Sequence, residues 1–114
     1  MSDCIFCRIG KKEVNADIIY EDDVCVAFND LHPQAPFHAL VIPKRHIVNL
    51  LEATEQESDV LGHLLLVCNE IAERAGVAER GFRVVTNSNA ESGQSIDHLH
   101  FHVLGGRAME WPPG

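Results

Sequence analysis

Hydrophobic positions divide the chain into short stretches of strand character and one long stretch of helical period. The clearest is residues 98–104, His98-Leu99-His100-Phe101-His102-Val103-Leu104, where histidine alternates with apolar residues before Gly105-Gly106. Successive side chains of a strand point to opposite faces, so this pattern predicts three imidazoles on one face and Leu99, Phe101 and Val103 on the other. Residues 24–29 alternate Val24, Val26 and Phe28 with Cys25, Ala27 and Asn29. They predict the second arm of a hairpin whose weaker first arm is 16–20 and whose turn is Glu21-Asp22-Asp23. A loop with Pro33 and Pro36 leads to a third strand over 37–42, stopped by Pro43, with Lys44-Arg45-His46 on an exposed turn. A fourth strand is predicted over 81–87, and a polar loop over 88–95.

Val60, Leu61, Leu64, Leu65, Cys68, Ile71, Ala72 and Ala75 recur at the spacing of a buried helical stripe. Thr54-Glu55-Gln56-Glu57 reads as a capping box that starts this helix, and Gly76 as its C-cap. Ile5, Phe6 and Ile9 predict one or two helical turns ending near Gly10. Strands first, with one long helix before the last two, indicate an α+β fold: a mostly antiparallel five-stranded sheet, one long helix and a short N-terminal helix, in one domain over 1–114. No βαβ repeat carries a Gly-x-Gly-x-x-Gly or Walker loop, which argues against a doubly wound nucleotide fold.

Charge narrows the function. With 9 Lys+Arg against 17 Asp+Glu and a net charge of -8, the chain lacks the basic face that a nucleic-acid polymer requires. A small anion needs only local donors and stays open. No basic segment followed by an apolar stretch begins the sequence, and no apolar run approaches about 18 residues, so a soluble cytoplasmic protein without a membrane partner is expected. In that compartment Cys4, Cys7, Cys25 and Cys68 are expected to be reduced, buried or metal-bound. Cys25 and Cys68 fall at core positions.

Three aligned histidines add nothing to a core that leucine would not supply better, so the row is expected to face something polar and anionic. Along a strand, His98 and His100 stand about 6.6 Å apart, and His98 and His102 about 13 Å apart. One zinc with bonds of about 2.0 Å does not gather all three without a sharp bend. A row of imidazoles along a phosphate fits better. A neutral imidazole has a lone pair for attack on phosphorus, and His100, flanked on both sides, is the candidate nucleophile. Gly93 and Ser95 offer a backbone N–H and a hydroxyl to phosphate oxygens without lysine.

These residues resemble the histidine triad family. The stretch 98–104 fits its His-φ-His-φ-His-φ-φ pattern at every position, φ being apolar. Gly93-Gln94-Ser95, Phe28-Asn29-Asp30, Pro33-Gln34-Ala35-Pro36-x-His38, Ile42-Pro43-Lys44-Arg45-His46 and Trp111-Pro112-Pro113-Gly114 extend the resemblance over the whole chain. The sequel Gly105-Gly106-Arg107 and the tail are most similar to the branch of histidine triad nucleotide-binding proteins. The resemblance implies that His100 takes up a nucleoside monophosphoryl group as a covalent nucleotidyl-histidine, which water hydrolyses. It implies that His102 contacts the phosphate and leaving group, that His38 supports the site, and that Ser95 lies near the scissile bond. Asp30 would grip the ribose hydroxyls, and Phe6, Ile9, Phe28 and Leu31 would form the purine slot. Asn87, Gly93, Gln94 and Ser95, with His100 and His102, would complete the nucleotide site.

The implied activity is hydrolysis of purine nucleoside phosphoramidates, releasing a nucleoside monophosphate and an amine, with no cofactor needed for catalysis. A nucleotide-binding scaffold with vestigial activity is the alternative from another class. A dinucleoside polyphosphate hydrolase or nucleotidyltransferase is a third. By its residues alone, Cys4-x-x-Cys7 fits buried thiols, a redox pair or a metal site. The resemblance implies the last, a structural zinc held by Cys4, Cys7, His46 and His98, which would divide His98 from the other two histidines of its row. It also implies a homodimer joined through the long helix and an edge strand, with the Trp111 tail near the partner's site. Asp97 departs from the aromatic residue some relatives carry there.

Overall fold

The computed structural model describes residues 3–114. Its elements run α1 (Ile5–Gly10), β1 (Ile18–Glu21), β2 (Cys25–Asn29), β3 (Phe37–Pro43), α2 (Ser58–Arg74), β4 (Phe82–Val85) and β5 (Phe101–Gly105). The strands form one antiparallel five-stranded sheet in the order β1-β2-β3-β5-β4. The α+β architecture expected from the hydrophobic pattern is the observed one. No helix of the described residues is long and apolar enough to cross a membrane.

Alternation along β2 and β3 sorts two apolar layers. Cys25, Ala27, Ala39 and Val41 join Phe101 and Val103 of β5 against Leu64, Val67, Cys68, Ile71 and Ala72 of α2. Val26, Phe28, Leu40 and Ile42 point the other way and pack on Phe6 and Ile9 of α1. His38 shares that second face, because it sits two residues before Leu40, and so does His102, which pairs in register with Leu40. Chain alternation therefore sets both histidines on the face away from the long helix.

The capping box forms as read: the Thr54 N–H donates to Glu57 Oε1 at 2.9 Å, and the Thr54 side chain accepts in return. It opens a 3-10 turn, Glu55–Glu57, that runs into α2. Gly76, at φ 76°, closes the helix in the left-handed region. Leu65 does not belong to the buried stripe. It is 47% exposed, because the apolar face follows 64, 67, 68, 71 and 72 and leaves Leu65 a hundred-degree step aside.

The strand bounds also differ. Asp22 Oδ1 accepts the N–H groups of Val24 and Cys25, holding Val24 in the turn and delaying β2 to Cys25. The same carboxylate accepts from the Tyr20 hydroxyl and from His63 Nε2, 2.6 Å away on α2. The largest correction concerns the histidine stretch. Its ladder begins only at Phe101, so His98, Leu99 and His100 lie outside the strand. Leu99 N–H donates instead to Ile47 O at 2.6 Å, and β4 correspondingly stops at Val85. Beyond that end, the Thr86 hydroxyl donates to His100 O at 2.8 Å.

Candidate active site

Because the regular strand starts late, the three histidines are not one row. His98 is fully buried and turns toward the N-terminus, with Nδ1 3.2 Å from Cys4 Sγ and 3.5 Å from Cys7 Sγ. Its Nε2 faces Pro43 O at 2.8 Å. A carbonyl only accepts, so Nε2 carries the proton and Nδ1 presents its lone pair to the sulfurs. His46 Nδ1 lies 3.2 Å from Cys7 Sγ, and Cys7 N–H donates to Cys4 Sγ at 3.4 Å. One ligand atom from each of Cys4, Cys7, His46 and His98 falls within 4.8 Å of the others.

That donor set suits a metal ion. Two thiol sulfurs and two imidazole nitrogens make a closed tetrahedral set, and a ligating histidine normally donates its other N–H to a carbonyl, as His98 does. Burial also holds the His98 ring below its ordinary pKa, in the neutral form a ligand needs.

His100 and His102 face the other way. His100 Nδ1 is 2.7 Å from His98 O, so Nδ1 donates and the lone pair is left on Nε2. His38 Nδ1 accepts from the Gln34 backbone N–H at 3.0 Å, which puts the neutral ring's proton on Nε2. That nitrogen is 2.9 Å from His102 Nδ1 and 3.4 Å from Asp30 Oδ2. His102 therefore accepts at Nδ1 and has Nε2–H left to donate. Burial, then the proximity of His100 and His38, pushes His102 down from 6.5 to about 4, and burial also lowers His38. The backbone thus selects complementary tautomers in adjacent rings, one with a nucleophilic nitrogen and one with a donor.

Phe6, Ile9 and Phe28 come together beside these rings. Phe6 meets Phe28 edge-on at 5.6 Å and His100 at 5.2 Å between centroids. Leu31 does not join them, being 87% exposed on its loop. Asp30 contacts His38 and caps its own loop by accepting from His32 N–H. Ser95 is exposed and, among the described residues, makes no hydrogen bond to the imidazoles. With Asp97 it lines a cavity of about 390 Å³ that also touches Cys4 and His46. Gly93 is exposed at φ 90°, and Asn87 is half-buried past the end of β4.

Gln94 has a different occupation. Its Nε2 donates to Val48 O and Ile96 O, while Oε1 accepts from Asn49 Nδ2 and Asn89 N–H. Its side chain holds the loop closed and has no donor to spare. Sequence reasoning missed the partner of that tie, Asn49, which is 3% exposed and also donates to Asn89 Oδ1. It missed Thr86 as well, since neither residue carries a signal beyond a polar side chain near an apolar stretch.

A family model, the HIT domain, matches residues 11–109. The chain belongs to the HIT family. An uncharacterised HIT-like protein of Synechococcus elongatus is 54% identical over 98% of this chain and 97% of its own length. The crystal structure of a HIT family hydrolase from Legionella pneumophila superposes with a TM-score of 0.96 at 42% identity, covering 98% of this HIT chain and all of the other. A histidine triad nucleotide-binding protein from Candida albicans gives a TM-score of 0.82 at 30% identity, over 96% and 83% of the two chains. This HIT chain therefore has the fold of HIT family hydrolases.

Proposed function

We propose that this HIT protein hydrolyses purine nucleoside phosphoramidates through a nucleotidyl-histidine at His100. The observation that carries the reading is the 2.7 Å contact from His100 Nδ1 to the His98 carbonyl. It leaves Nε2 unprotonated, as attack on phosphorus requires. In the first step Nε2 bonds to phosphorus while the P–N bond to the amine breaks. The amine must gain a proton as it leaves, and His102 presents Nε2–H beside the nucleophile. A phosphoryl anion against His102 favours its charged form and opposes the effect of burial. Nδ1 takes up the proton that enters with the substrate, and His38 Nε2–H turns to Asp30 Oδ2, 3.4 Å away. His102 Nε2–H passes to the amine as the P–N bond breaks, returning the ring to neutral. Water then cleaves the P–Nε2 bond and releases the nucleoside monophosphate.

Phe6, Ile9 and Phe28 are apolar enough to receive a purine ring. Asp30 has one oxygen near His38 and the other on the His32 N–H, and it would meet ribose hydroxyls at the edge of this group. Nucleotide binding with vestigial turnover is the alternative, and it would use the same residues. Zinc is the metal proposed for Cys4, Cys7, His46 and His98, where it would supply cross-linking of α1 to the segments 43–47 and 98–100. A reducing compartment such as the cytoplasm would keep those thiols available to it.

A homodimer fits the outer surface. Leu66 is 66% exposed on α2 and β4 is an open sheet edge. If Leu66→Glu sediments as the same species as wild type, that dimer face is wrong. Function is tested by a panel of adenosine phosphoramidate and diadenosine polyphosphate with wild type and His100→Ala. Faster turnover of the phosphoramidate, lost in the variant, supports the proposal. Preference for the polyphosphate would move the protein to the hydrolase alternative.

A further inference from the structure

His98 takes part in both centres through different atoms. Its ring belongs to the Cys4–Cys7–His46–His98 cluster, and its carbonyl accepts the His100 Nδ1–H at 2.7 Å. The peptide plane that carries this carbonyl also carries the Leu99 N–H, which donates to Ile47 O at 2.6 Å. His46 and His98, two residues of the cluster, therefore sit next to the two ends of one backbone hydrogen bond. That plane can aim at His100 only while 46–47 and 98–99 keep their relative placement.

A second connection runs through α1. Phe6 lies between Cys4 and Cys7 in sequence, and its ring packs T-shaped on His98 and His100 with centroids 5.9 and 5.2 Å apart. Fixing the two cysteines fixes the wall against which the His100 ring leans. The contacts within the cluster include sulfur–nitrogen distances of 3.2–3.5 Å and the Pro43 carbonyl on His98 Nε2. A bound metal adds ligand bonds, and in small zinc sites those bonds hold the surrounding fold together.

We infer that the Cys4–Cys7–His46–His98 centre positions the nucleophile: a zinc-type divalent ion held there sets the tautomer and aim of His100 through the His98 carbonyl and Phe6. His98 is then a positioning residue rather than a catalytic one. The inference rests on the proposed role of His100, but its first readout does not depend on any substrate.

The test compares Zn(II)-loaded wild type, wild type stripped by chelator, and Cys4→Ser, each checked for fold by circular dichroism. ¹⁵N-histidine NMR reads the His100 tautomer, and rapid-quench mixing with an adenosine phosphoramidate reads the rate of His100 nucleotidylation. The loaded protein is expected to hold His100 in the single Nδ1–H form. The folded stripped protein and Cys4→Ser are expected to show mixed tautomers and nucleotidylation slower by about tenfold or more, the range typical of lost support around a site. Reloading Zn(II) should restore the stripped wild type.

The same tautomer and rate in folded stripped and loaded protein overturns the inference. So does a wild type that takes up no Zn(II), or one that unfolds on stripping, which would make the centre a folding staple. If Cys4→Ser fails to fold, the stripped and reloaded wild type decides. Normal turnover by His100→Ala would defeat the phosphoramidase reading instead, leaving the tautomer comparison intact.

Discussion

His38 Nε2 stands 2.9 Å from His102 Nδ1, and the Gln34 N–H on the far side of His38 fixes the direction of that hydrogen bond. A backbone amide thus determines, two rings away, which nitrogen of His102 is left to donate. Removing His102 should cost about 10²–10⁴-fold in kcat, the usual worth of a positioned proton donor. His38→Ala should cost less than His102→Ala, because the donor stays and only its orientation is lost. Equal losses in steady-state kinetics would mean that His38 acts on substrate directly.

Acid should loosen the protein over a definite window. His102 is held near 4 against an ordinary 6.5, and His38 is lowered too, both through burial first. Between those values the unfolded chain binds protons that the folded chain refuses, so stability rises with pH there. Urea midpoints should be level above about pH 6.5 and fall progressively toward pH 4. The fall should shrink in His102→Gln, and a midpoint flat across the window would contradict the buried neutral pair.

The loop before the triad is held by amides rather than by its glycine. Asn49→Ala and Gln94→Ala should each destabilise by about 1–3 kcal/mol, since each removes several part-buried hydrogen bonds at once. Asn49 Nδ2 and Gln94 Oε1 share a 3.1 Å hydrogen bond, so the double variant should cost less than the sum of the singles. Strict additivity in thermal or denaturant unfolding would show that the two side chains act apart.

Much of this was legible in the residues. The period-2 and helical patterns placed the sheet and α2, and Thr54-Glu55-Gln56-Glu57 located the start of the helical segment. What alternation could not show is where a ladder ends. His98-Leu99-His100 keeps the strand pattern perfectly, yet Leu99 N–H goes to Ile47 O, more than fifty positions away in sequence. Alternation reports facing, whereas pairing depends on which backbone lies alongside. For the same reason Leu65 reads as buried in the sequence, since three leucines in succession, Leu64-Leu65-Leu66, hide which one the stripe follows. Asn49 and Thr86 left no trace because their roles come from partners 40 and 14 residues away.

His100 as the nucleophile is the central claim. Mixing the protein with excess adenosine phosphoramidate, quenching within a turnover and sequencing the labelled peptide by mass spectrometry tests it most directly. The account predicts adenylate attached to His100, with no adduct and no turnover in His100→Ala. An adduct on another residue, or full turnover by that variant, would contradict it.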